Sequence, residues 1–407
     1  MSITIRNAVL AEAPDTRLDL AITNGRIAAV GTNLTPAEED IDLGGRLIVP
    51  GFVETHIHLD KACILDRCTI CRGDIQEAIQ QVASVKAGFT EDDVYRRASD
   101  TLAKSVARGT MRMRTHVEID PVIGLRGFHG VRRAIADYKW AMDAEICVFP
   151  QEGLLNNPGT DALLRQALEE GAEVLGAAPY VDTDSKGQID WTFDTAREFD
   201  VDIDMHLDFG SDTSMMDVDH VCRRTEEYGW GGRVTIGHVT KFSYLPRAQL
   251  AMLAKRLADC GVAVTVLPST DLFLMGRDHD HAVPRGVVPA HELLTYGVNC
   301  SLSTNNVMNP FTPYGDCSLV RMANLYANIA QIGVAEQMAE CMAMITNRSA
   351  KLLNLPDYGL EVGRPADFVA LDAFSPASAV AEIAQPIMGY KRGRRSFTHP
   401  LPQLHRP

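Results

Sequence analysis

The stretch GFVETHIHLDK, Gly51 to Lys61, sets two histidines one residue apart in a run that is otherwise apolar or β-branched. A short run of this kind reads as a strand buried on both faces. Residues i and i+2 of a strand project to the same side. His56 and His58 therefore face one interior together and can grip one ion.

Seven further runs of the same texture follow. They are GTMRMRTHVEID (109–120), AEICVFPQ (144–151), AEVLGAAPY (172–180), VDIDMHLDF (201–209), GRVTIGHVT (232–240), VAVTVLPST (262–270) and VNCSLSTNN (298–306). Helix-like segments separate them, among them DVYRRASDTLAKSVARG (93–109) and AQLAMLAKRLADCG (248–261), each closing on a glycine stop. Eight buried strands alternating with helices predict an α/β fold, a (β/α)₈ TIM-like barrel. Both ends of the chain look different. SITIRNAVL, LDLAITNGRIAAVG and IDLGGRLIVPG at the start, and YGLEVGRPADFVALDAF and IMGYKRGRRSF near the end, are short strands broken by glycine turns. The expectation is one small β-sandwich domain from both termini (1–50 plus 358–407) beside a barrel over 51–357.

With 39 basic and 53 acidic residues the formal charge is −14. No basic run or stripe is present, so neither nucleic acid nor an acidic membrane is an expected partner. The N-terminus lacks a charged segment leading into an apolar one, and no apolar run approaches the roughly 20 residues of a membrane helix. The nine cysteines are scattered and odd in number. They read as reduced, in a cytoplasmic protein, with Cys63, Cys68 and Cys71 taken as apolar packing. The expected partner is a small-molecule substrate, and self-association is left open.

Catalytic groups of such barrels stand at the C-terminal strand ends. There the chain places His56 and His58, His116 and Glu118, Gln151 and Glu152, His206 and Asp208, His238, Asp271, and Asn305 and Asn306. His206 and His238 come from strands across the barrel from His56 and His58. Three protein ligands and an open position make a catalytic metal site, in which bound water becomes a nucleophile near neutral pH. One divalent ion is expected, zinc or iron first, with manganese or cobalt as alternatives.

These residues resemble the amidohydrolase superfamily in its cytosine deaminase-like branch. PGFVETHIHLDK is similar to its first metal motif. RTHVEID, FPQEGL, DIDMHLD, GHVTKF and NNVMNPFTPYGD resemble its later strand motifs, and YGLEVGRPADFVALD its sheet-domain signature. The resemblance implies a distorted barrel with a small sheet domain, and hydrolysis of a C–N bond in a small nitrogen heterocycle or amide by deamination, amine release or ring opening. It makes His56, His58 and His206 the metal ligands, His238 the residue that polarises or moves a proton, and Gln151 a substrate contact. LGAAPY carries no lysine for a second metal. Two positions depart from the pattern: Asn305 stands at the metal-binding aspartate, and Phe209 at the deaminase glutamate. An amide is no general base at neutral pH.

His238 is then the first candidate base and Asp208 the second, because it faces the same side as His206 if the strand stays regular. Asp316 is a third candidate, or a helix cap. Asn305 remains a weak metal ligand or substrate contact. Asn306 can bind a polar substrate, and Phe311 contributes to a partly apolar wall. Glu54 is expected in a salt bridge at the barrel base, Lys61 and Lys241 on surface loops, and His279 and His281 in a solvated loop. Two other readings compete: a non-catalytic small-molecule-binding protein on the same barrel, and metal-assisted elimination.

Overall fold

A computed structural model describes residues 2–405 of the chain. The N-terminal strands are β1 (Ser2–Leu10), β2 (Ala13–Thr23), β3 (Arg26–Gly31), β4 (Glu39–Asp42) and β5 (Leu47–Pro50). The barrel strands follow as β6 (Phe52–Ile57), β7 (Thr110–Glu118), β8 (Asp143–Phe149), β9 (Val174–Ala177), β10 (Asp202–Leu207), β11 (Val234–His238), β12 (Val262–Val266) and β13 (Cys300–Leu302). Three more, β14 (Phe368–Leu371), β15 (Pro386–Lys391) and β16 (Arg394–Thr398), return to the first group.

Two sheets result. β6 to β13 pair in sequence order, each parallel to the next, as βα units require. The terminal strands form one mixed sheet in the order β16-β15-β14-β5-β1-β2-β3, with β4 also on β1. This sheet has its own core of Ile3, Ile5, Leu20, Ile22, Ile48, Phe368 and Tyr390. It joins the barrel directly, since only Gly51 separates β5 from β6.

The ring closes between β6 and the segment after β13. Asn305 N donates to the His56 carbonyl at 2.9 Å, and His58 N donates to the Asn305 carbonyl at 3.0 Å. Glu54 reinforces this seam. Its carboxylate accepts from Thr304 N at 3.1 Å and from Thr304 Oγ1 at 2.6 Å. The expected salt bridge of Glu54 is therefore replaced by hydrogen bonds in a buried seam, and burial pushes its carboxyl up to about 7. Among the described residues no helix is long and apolar enough to cross a membrane.

Candidate active site

Every residue of β6 is buried, and the period of two carries Glu54, His56 and His58 along one side. His206 near the end of β10 meets them. Its Nε2 lies 3.2 Å from His56 Nε2 and 3.3 Å from His58 Nε2. With each ring protonated on Nδ1, three Nε2 atoms this close offer converging lone pairs to one cation. For zinc–nitrogen bonds of about 2.0–2.1 Å, a tetrahedral site sets ligand nitrogens about 3.3–3.4 Å apart. The observed spacings fit such an ion. Burial, then neighbouring imidazoles or Lys61, hold all three rings well below the ordinary histidine range, in the neutral form a metal needs.

Packing orients these rings. His116 of β7 stacks on His56 with centroids 3.7 Å apart, and Phe149 of β8 stacks on His206 at 4.5 Å. Gly237 of β11 leaves room for His56, because a Cβ there would stand 3.3 Å from its Nδ1. His116 also meets Asp204 at 3.4 Å, and with His56 these residues form a second group of potential ligand atoms. The stacked rings of His56 and His116 do not aim lone pairs at one point, so the Nε2 triad is the better cation site.

His238 and Asn305 stand beside the triad. Asp271, in the helix Pro268–Leu274 after β12, takes the His238 Nδ1 proton into a 2.6 Å contact and is fully buried. His238 Nε2 is left as an acceptor, 3.5 Å from Asn305 Nδ2. Asn305 Oδ1 is buried and has no hydrogen-bond partner. His238 (φ 67°), Val239 (φ 41°) and Asn305 (φ 63°) all adopt left-handed backbone. For Val239 this costs about 1–2 kcal/mol, and strain of this kind concentrates at functional sites.

Asp208 behaves otherwise than a regular strand would dictate. The backbone turns left-handed at φ 46°. Its carboxylate accepts from Asp217 N at 2.9 Å and Val218 N at 3.1 Å, which ties down the start of the helix Val218–Tyr228. Both oxygens are thus committed to backbone. Asp316 accepts from Arg321 Nε at 2.8 Å, while Ser318 is the residue that caps the following helix. Lys241 bonds the Met215 carbonyl, and His279 and His281 lie exposed.

Lys61 corrects a sequence expectation more strongly. It is 2% exposed rather than on a surface loop. Its ammonium lies 2.6 Å from Glu118 Oε1, 3.3 Å from Gln151 Oε1, and 4.4 Å from the Phe311 ring centre. Behind it, Lys86 contacts Glu118, Asp120 and Glu152. Burial, Glu118 and Asp120 push Glu152 up to about 8. Asn309 shapes the neighbouring loop: its Oδ1 accepts from Phe311 N and its Nδ2 donates to Asn306 Oδ1 at 2.7 Å.

A narrow chamber gathers His58, His206, His238, Lys61, Gln151, Asn306 and Phe311. Its free volume of about 10 Å³ holds about one water. Gln151 Nε2 is buried without a partner. A vestibule of about 830 Å³ opens outside it. Ile75, Gln151, Tyr180, Phe209 and Leu274 line both spaces and form the throat between them. All nine cysteines are free thiols. Cys63 and Cys68 are half-buried and pack against the barrel core as expected, whereas Cys71 is exposed.

Sequence reasoning placed Asp271 at a strand end without giving it a role, because only the fold shows it bonded to His238. The burial of Lys61 carried a faint signal in its neighbours, the apolar Leu59 and Ala62.

The model of the Amidohydrolase family matches residues 81–397. The chain is 27% identical over 402 residues to N-isopropylammelide isopropyl amidohydrolase of Pseudomonas sp. (strain ADP), covering 96% of each chain. It is 28% identical to pterin deaminase of Rhizobium rhizogenes, over 88% of this chain and 82% of that one. In structure it is similar to 5-methylcytosine deaminase of Klebsiella pneumoniae liganded with 5-fluorocytosine, with a TM-score of 0.95, 26% identity and 99% of each chain covered.

Proposed function

The chain belongs to the amidohydrolase family, and on that premise we propose that it is a metal-dependent hydrolase cleaving a C–N bond of a small, polar nitrogen heterocycle or amide. The observation that carries this reading is the convergence of the His56, His58 and His206 Nε2 atoms at 3.2 and 3.3 Å. These three residues would hold one divalent ion, zinc or iron first, and Asn305 offers its unpartnered Oδ1 beside them. The ion supplies Lewis acidity that makes water a nucleophile near neutral pH.

The other roles belong to side chains. His238 accepts the proton of the attacking water at Nε2, because Asp271 retains the proton on Nδ1. It then passes that proton to the departing nitrogen. Asn305 donates to His238 Nε2 in the resting site and cannot act as the base itself. Lys61 and the unpartnered Gln151 Nε2 are donors aimed into the chamber. They suit an acceptor edge of the ring, a carbonyl oxygen or a ring nitrogen. Asn306 and Phe311 complete the wall, and Phe149 supports His206.

The homologues named above act, by their names, on N-isopropylammelide, pterin and 5-methylcytosine. All three are ring compounds with several nitrogens, which supports the substrate class. The test is elemental analysis of protein purified without added metal, beside His58→Ala, followed by a screen of amino-substituted heterocycles in ¹⁸O-labelled water. About one metal per chain, lost in the variant, and ¹⁸O in the product are expected. No metal uptake would turn the reading to a binding protein, and product without ¹⁸O would turn it to elimination.

A further inference from the structure

We propose that Phe209 selects the leaving group, so that the favoured substrate loses an alkylamine rather than ammonia. The inference rests on the hydrolytic reading above and narrows it. Phe209 stands two residues past the end of β10, three after His206, with its ring edge-on to His238 at 5.3 Å between centroids. It lines both the chamber and the vestibule. A group departing from a carbon attacked beside His238 passes this ring on its way out.

The chemistry of the throat decides what passes well. Ile75, Phe209 and Leu274 are apolar, and Tyr180 turns its ring toward Phe209 at 6.2 Å. The only amide in the throat, Gln151, has its oxygen committed to Lys61 at 3.3 Å. Where the throat is walled by Ile75, Phe209 and Leu274 a free amino group meets no side-chain acceptor, and the polar side-chain atoms of the throat belong to Tyr180 and Gln151. An N-alkyl substituent gains burial against the same surface. The vestibule, at about 830 Å³, has room for that substituent. The balanced step is ring C–NHR plus water giving ring C–OH, which relaxes to the carbonyl tautomer, plus RNH₂. The C–N bond breaks, a C–O bond forms, and a water proton ends on the departing nitrogen.

The test compares matched pairs on one ring: cytosine with N4-isopropylcytosine, and ammelide with N-isopropylammelide. Release of ammonia and isopropylamine gives kcat/KM on metal-loaded protein. Calorimetry on metal-free protein gives affinity without turnover. In at least one pair the isopropylamino member is expected to be favoured tenfold or more in both measurements, the scale of one well-packed methylene or more. Phe209→Leu keeps the preference, and Phe209→Glu, which supplies an acceptor, moves it tenfold or more toward the amino member. Equal or better use of the amino member of both pairs by the wild type overturns the inference and leaves hydrolysis standing. No release of either amine from metal-loaded protein sinks the hydrolytic reading and the leaving-group inference with it, while the calorimetry still reads whether the throat prefers the alkyl substituent. Selectivity unmoved by Phe209→Glu overturns the role of Phe209.

Discussion

Replacing Asp271 by Asn tests the assignment of the base most directly. The carboxylate accepts from His238 Nδ1 at 2.6 Å with no solvent exposure. It therefore holds the imidazole in the tautomer whose Nε2 is free to accept a proton. An asparagine of the same shape can donate its amide to Nδ1, which favours the tautomer protonated on Nε2. A buried hydrogen bond to a charged partner is worth about 1.5–3 kcal/mol. Reversing a preference of about 2–3 kcal/mol leaves one molecule in roughly 30 to 150 in the productive tautomer, since each 1.4 kcal/mol is about tenfold. The expected result is a fall in kcat of that size with KM changed less than about threefold, because the donors to the ring, Lys61 and Gln151, are untouched. Amine release measures both constants, and metal content and thermal midpoint check that the site survives. ¹⁵N spectra of the histidine side chains report the tautomer without any substrate. A kcat within threefold of the wild type, or a His238 still protonated on Nδ1, would refute the assignment.

Other expectations follow from the same contacts. His58→Ala removes one of three converging nitrogens and should lower metal content from about one per chain to a small fraction, read by elemental analysis. Asn305→Asp adds a negative charge beside neutral imidazoles and should tighten zinc binding about tenfold or more in chelator competition; unchanged affinity would place residue 305 outside the metal's reach. Gly237→Ala puts a Cβ 3.3 Å from His56 Nδ1 and should weaken metal binding severalfold while the fold survives, as judged by circular dichroism. Glu152 is raised to about 8: the folded chain holds this proton while the unfolded chain releases it near pH ~4.5. The group's contribution is full below the unfolded value and is lost as pH rises through about 8. Glu152→Gln should therefore flatten the fall in urea stability over that interval.

Much of this was legible in the chain because it rests on local geometry. The period-two spacing of His56 and His58 follows from strand pleating alone. Alternation of eight apolar runs with amphipathic segments has few other solutions than a parallel barrel. His206 and His238 were found by their strand-end positions, and the substitutions at Asn305 and Phe209 by a resemblance of motifs. Asp208 was misjudged for a physical reason, since a side-chain direction inferred from strand period fails where the backbone turns left-handed. Lys61 was misjudged because a lysine's burial is set by partners distant in sequence, here Glu118 and Gln151.

The sequence by itself determined the barrel and the paired imidazoles, both consequences of residue type and short-range period. Only the tertiary structure decided which groups meet. Closure of the ring through the Asn305 backbone sets that residue beside His56 and His58. The turn after β12 delivers Asp271 to His238. These contacts join segments tens to hundreds of residues apart. They form because a closed barrel leaves buried polar groups no water, so each must find its partner across the core.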